Sequence, residues 1–238
     1  MTPEPRTTWI KPETQRFLHR LWLTVLIVGS LIALLVVSGW AINAAYARGE
    51  RQREDQDVLE KLKNQPTLSV EERIQEREAV LAKLQDSVSK EEERRVLAGL
   101  YEEQGKKRIS EGRQDEAEAS FRRAIDLDPL NPVYPADLAL LFGLAARDAD
   151  NDRAAQIQLW RESCSHWLKA LSLEGKVEFR TAYAQSATDA AISACELMTD
   201  PKLRADGLAF LADVRRQMPA GSRTLDQLDR AAAALRGE

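Results

Sequence analysis

Three aspartates, Asp148, Asp150 and Asp152, alternate along the chain as the first oxygen ligands of a calcium loop do. Such a loop also needs a glycine at its sixth position and a bidentate glutamate at its twelfth. Arg153 and Leu159 stand there instead. The triplet therefore reads as a polar turn that caps a helix. The two histidines are His19 and His166. Neither has a cysteine, histidine or carboxylate one helical turn further on, as a zinc-binding helix face requires. The two cysteines are Cys164 and Cys195. If their helices form a hairpin turning near Gly175, Cys164 faces Ala187. At about 1.5 Å of rise per residue, that leaves Cys195 about 12 Å away along the axis, too far for a disulfide, which needs Cα atoms within about 7 Å. Both are expected to be small core residues. The sequence holds neither a glycine-rich phosphate loop nor a nucleophile elbow. No catalytic residue, cofactor or metal is expected.

Trp160, Cys164, Trp167 and Leu171 recur at helical spacing. Such a stripe is ordinarily core. The other reading makes Trp160 and Trp167 an exposed anchor for a partner, since tryptophan is enriched where binding energy concentrates.

These residues sit in a chain built for helices. It has 238 residues, 34 Lys and Arg against 38 Asp and Glu, and a net charge of −4. Charges of both signs are interspersed, which excludes the basic stripe that nucleic acid needs. Alanine, leucine, glutamate and arginine dominate, all strong helix formers. Glycine and proline fall between periodic segments. No segment reads as a strand.

Between Arg20 and Arg48 the sequence carries no charged side chain. Leu21 to Trp40 alone supplies the roughly 20 apolar residues that a spanning helix needs. Trp22 and Trp40 sit near its limits, where amphipathic rings prefer the membrane interface, and Arg20 and Arg48 flank it. The expectation is an N-terminal tail (1–20), a transmembrane helix through the lipid bilayer (21–47), a charged juxtamembrane helix or linker (48–66) and a helical domain (67–238). Ala45-Tyr46-Ala47 offers the competing reading, a cleaved signal peptide. Against it, the apolar run exceeds the usual signal-peptide length. Basic residues lie on both sides of the span. The short tail favours a signal-anchor with the N-terminus inside and the domain extracytoplasmic, periplasmic in a bacterium.

Past Pro66 the helices announce their own starts. Ser69 and Glu72 are spaced as a capping box, as are Ser89 and Glu92, and Thr224 and Gln227. Asp200-Pro201 places a capping side chain ahead of a proline at the first helical position. Val70, Ile74, Leu81, Leu84 and Val88 share one face of the first helix, and Val96, Leu97, Leu100 and Tyr101 face inward on the second. Ala182, Tyr183, Ala187, Ala190, Ala191, Ala194 and Cys195 pave a later helix. Leu203, Leu208, Leu211 and Val214 form the apolar face of the next.

Gly105 to Pro132 is the most specific segment. Ala117, Phe121, Ala124 and Pro129 follow the spacing of alanine, aromatic, alanine and proline through a second helix and its turn. Gly105 and Tyr101 fit the helix before it. The segment resembles a tetratricopeptide repeat (TPR). Gln104 and Arg108 depart from the pattern, where leucine and tyrosine are usual. The resemblance implies an all-α, TPR-like stack of antiparallel helix hairpins that binds protein partners. In the family the first helix of each pair lines the groove, which here implies Glu102, Lys106 and Ile109. Groove readers of acidic peptide tails carry several basic and asparagine side chains. Lys106 stands alone, so that specificity is not implied. Ser163, Trp167 and Ala170 echo the repeat, with an insertion or extended turn expected within 142–153. The functional expectation is a membrane-tethered, single-pass scaffold or assembly factor. The alternative is a permanent accessory subunit of a larger membrane complex.

Overall fold

A computed structural model describes Arg53, Asp55, residues 68–149 and residues 151–237. The chain divides into two compact units, Met1–Leu62 and Lys63–Glu238. The second holds eight helices among the described residues: α1 (Val70–Lys83), α2 (Ser87–Ser110), α3 (Gln114–Leu127), α4 (Val133–Asp148), α5 (Arg153–Leu173), α6 (Val177–Glu196), α7 (Pro201–Gln217) and α8 (Arg223–Arg236). Each helix packs on the next in sequence, α2 also touches α4, and α8 also packs on α6. Short connections between neighbours make antiparallel hairpins. The described part of this unit is an all-α stack.

Local chemistry sets the boundaries. Ser69 accepts from the Glu72 backbone N–H, and Glu72 returns a bond to the Ser69 backbone, closing the capping box. Asp200 caps α7 through the N–H groups of Lys202 and Leu203. Asp152 caps α5 by accepting from Ala155 N at 3.0 Å, so this aspartate serves a turn. The α2–α3 turn needs Gly112, whose φ is 74°. Gly112 N bonds Ile109 O and Arg113 N bonds Arg108 O. That pair of bonds is the Schellman closure, which places a left-handed residue just past the helix end.

Two expected caps fall elsewhere. Asp86, not Ser89, caps α2, accepting from Val88 N and Ser89 N. An aspartate three residues upstream captures the free N–H groups first, and Ser89 is buried in the first turn. Val88 and Val96 consequently point outward. Ser222 likewise caps α8 ahead of the buried Thr224.

The core is a chain of contacts along the stack. Ile74, Leu97, Leu100, Ala124 and Leu127 join α1, α2 and α3. Phe121, Ala117, Leu138, Leu141 and Phe142 join α3 to α4. A larger group runs through α4 to α8 and includes Trp167, Cys164, the α6 alanines, Leu211 and Leu228.

The membrane expectation is corrected at this point. Among the described residues, no helix is long and apolar enough to cross a membrane. The longest, α2 and α5, carry charges throughout their outer faces. The expected span 21–47, with Trp22, Trp40, Arg20 and Arg48, lies outside the described residues. The single-pass assignment and the extracytoplasmic placement of the domain are withdrawn.

Candidate protein-binding face on α2 and α4

The α2–α3 hairpin carries the clearest repeat chemistry. Ala117, Phe121 and Ala124 are fully buried and Gly105 is buried opposite them. A carbon added to Gly105 would stand 2.6 Å from Cε1 of Phe121 and 2.8 Å from its Cζ. The ring therefore lies directly on the α2 backbone. Pro129 stands exposed in the turn after α3, where it cannot continue a helix. Tyr101 is half-buried and donates to Glu78 Oε1 of α1 at 2.7 Å.

The two departures from the repeat pattern have structural work. Gln104 Oε1 accepts from Ser120 Oγ at 2.9 Å. Arg108 reaches Glu71 of α1 and Glu116 of α3, each at 3.4 Å. Polar ties replace the usual apolar contacts between α2 and its neighbours.

Of the groove residues implied by the resemblance, Glu102 and Lys106 stay accessible. Lys106 Nζ bonds Glu102 Oε1 and stands 3.2 Å from Asp137 Oδ2 on α4. Asp137 is mostly covered, and burial pushes its carboxyl up to about 6 against the pull of Lys106. Asp137 also raises the hydroxyl of Tyr183 on α6, after burial and Glu174. Asp137 ties α4 to α2 through Lys106. Ile109 turns the other way and packs against the Phe121 group. Ile109 is partly buried by that contact and lies apart from the Glu102–Lys106 pair.

Trp167 leaves the candidate set, while Trp160 keeps part of its surface accessible. Trp167 is buried and its ring lies 5.7 Å from that of Tyr183. Trp160 is half-buried, 3.4 Å from where a carbon on Gly143 would stand, with the Arg147 guanidinium 6.0 Å from its ring centre. Trp160 repeats on α5 the role of Phe121 on α3, a ring laid against a glycine of the preceding helix. The expected echo residues Ser163, Trp167 and Ala170 are all buried, with Trp167 two helical turns beyond Trp160. The connection between α4 and α5 spans 149–152.

The remaining chemistry-bearing groups are structural. Cys164 and Cys195 are free and buried, and burial pushes their thiols up to about 12 and about 11. His166 stacks on Phe142 with ring centres 5.5 Å apart. Burial holds its imidazole below the ordinary histidine range. Asp148 accepts from Gln114 at 3.1 Å, and Asp150 lies outside the described residues. No group of three His, Cys, Asp or Glu among the described residues is placed to hold a metal ion.

Sequence reading missed the residues that dominate this face. Leu140 and Leu144 are 53% and 41% exposed, and Val133 is 38% exposed. With Asp137 they fall at i, i+4, i+7 and i+11, one face of α4. Apart from Asp137, the run VYPADLALLFGLAA is free of charge and carries leucine on both its buried and its exposed sides. That pattern is the signal of a helix with more apolar surface than its core needs.

No protein-family model matches this sequence, and no curated protein matches it. Among solved structures, it is similar to one described as the first TPR of Spaghetti (RPAP3) bound to the HSP90 peptide SRMEEVD. The match is 19% identical, covers 58% of this chain and 95% of that one, and has a TM-score of 0.32. An overlap at that score decides nothing about what this chain binds.

Proposed function

We propose that this chain is a protein-binding helical scaffold whose partner sits on the face made by Glu102 and Lys106 of α2 and by α4. One observation carries the reading. Leu140 and Leu144 stay exposed on a helix whose other faces are fully packed, beside ionic side chains that are already ordered. Adjacent exposed leucines with a polar rim are the ordinary composition of an interaction surface. The repeat resemblance supports the same reading, because stacked hairpins offer extended surfaces to extended partners.

Affinity capture from the native source tests it. Tagged wild-type chain and the Leu140→Ser, Leu144→Ser double variant are compared by quantitative mass spectrometry. A partner lost in the variant, with helix content by circular dichroism unchanged, supports the proposal. Partners retained equally by both would reject it. Exchange of the captured partner with added free chain separates a scaffold from a permanently built-in subunit.

A further inference from the structure

Resting on the reading of α4 as a partner face, the composition of that face specifies the chemistry of the segment it takes. The strip is Val133, Asp137, Leu140 and Leu144, with an acid set among three exposed apolar side chains. Lys106 is the cation nearest that acid, and it is shared. Its ammonium bonds Glu102 and pairs with Asp137 Oδ2 at 3.2 Å. Two carboxylates therefore divide one ammonium, so neither has a cation to itself.

The surroundings are acidic as well. Asp128 and Glu102 bear on Tyr134, one turn before Asp137, and Glu174 bears on Tyr183. On the α6 side Lys176 lies over the Phe179 ring, 5.7 Å from its centre, and Arg180 donates to the backbone oxygens of Leu171 and Glu174. Beside Asp137, the acids Glu102 and Asp128 stand against the single ammonium of Lys106. A guanidinium meets these carboxylates better than an ammonium. It is planar, holds several donors in a fixed fork and sheds water at lower cost.

We propose that the α4 strip receives a partner segment in which an arginine lies between leucine-sized side chains, the arginine pairing with Asp137 and Glu102 and the apolar groups covering Leu140, Leu144 and Val133. This is the opposite charge preference from a site built for acidic tails.

The test uses the full chain and three fluorescein-labelled amphipathic peptides, identical except for a central arginine, glutamine or glutamate on the leucine face. Binding is read by fluorescence anisotropy. The arginine peptide should bind about tenfold or more tightly than the glutamine peptide, the gain expected of one charge-assisted pair. Asp137→Asn should remove most of that gap, and Leu144→Ser should weaken both peptides alike. Lys106→Met supplies a gain-of-binding check, because releasing the shared carboxylates should tighten the arginine peptide. Equal binding of the arginine and glutamine peptides, a preference for glutamate, no binding by any peptide, or an arginine preference that survives Asp137→Asn would each overturn the proposal. None of those results touches a partner captured through Leu140 and Leu144, so the broader reading fails separately.

Discussion

Gly105 and Phe121 are in direct contact: an added carbon on the glycine would stand 2.6 Å from the ring. Phe121 is fully buried, and the absence of a side chain on α2 lets α3 approach closely enough to bury it. Gly99 lies in the same helix with nothing within 4 Å of the equivalent carbon. The two glycines therefore make opposite expectations for one substitution. Gly99→Ala should stabilise by up to about 1 kcal/mol through helix propensity. Gly105→Ala should lose about 1–3 kcal/mol by overpacking, in spite of the same propensity gain. Urea unfolding of both variants checks this, and similar stabilities for the two would contradict it.

Truncating the ring should be costlier. Phe121→Ala is expected to lose about 3–5 kcal/mol. In that background the Gly105→Ala penalty should largely vanish, because its cause has been removed. A double-mutant cycle reads the coupling. Additive effects would mean the two residues do not touch.

Arg77 and Glu93 form a covered ion pair between α1 and α2, 2.9 Å apart, with the glutamate side chain 1% exposed. Burial raises the Glu93 carboxyl even against Arg77. Arg77→Met should cost about 3–5 kcal/mol, because it strands a buried charge. Adding Glu93→Met should recover most of the loss. A double variant no more stable than Arg77→Met would show that the cost lies elsewhere.

The pH dependence has two opposed parts. His166 titrates lower in the folded chain than its ordinary 6.5, so its contribution is present above that value and lost as pH falls. Asp137 titrates higher, near 6 rather than 3.8. Its contribution is present below pH 3.8 and lost as pH rises through about 6. Asp137→Asn should therefore gain on the wild type between pH 4 and pH 7, by at most about 3 kcal/mol. Chemical unfolding at several pH values checks the sign, and a gap that narrows as pH rises would contradict it.

Much of the fold was readable from spacing alone. Ala117, Phe121 and Ala124 define a buried helix face whatever else is known, and Ser69 and Asp200 mark starts that the chain uses. Spacing failed where two answers share a face. Trp160 and Trp167 are seven residues apart, two helical turns, so periodicity cannot choose which one meets the preceding helix. The glycine chooses: Gly143 admits Trp160 as Gly105 admits Phe121. Ser89 misled for a related reason, since Asp86 competes for the same N–H groups. The candidate site was half visible. Glu102 and Lys106 follow from the repeat pattern, but Ile109 sits toward the core. Asp137, Leu140 and Leu144 were hidden in a run that carries leucine on both its inner and its outer faces.

The partner face is the central claim, and site-specific photocrosslinking tests it most directly. A photoreactive residue is placed at Leu144 on α4 or, as a control, at Val96, an exposed apolar position on α2. Irradiated native extracts should give a discrete higher-mass adduct from the Leu144 position and none from Val96. Adducts from Val96 alone, or the same adducts from both, would contradict a partner seated on the α4 face.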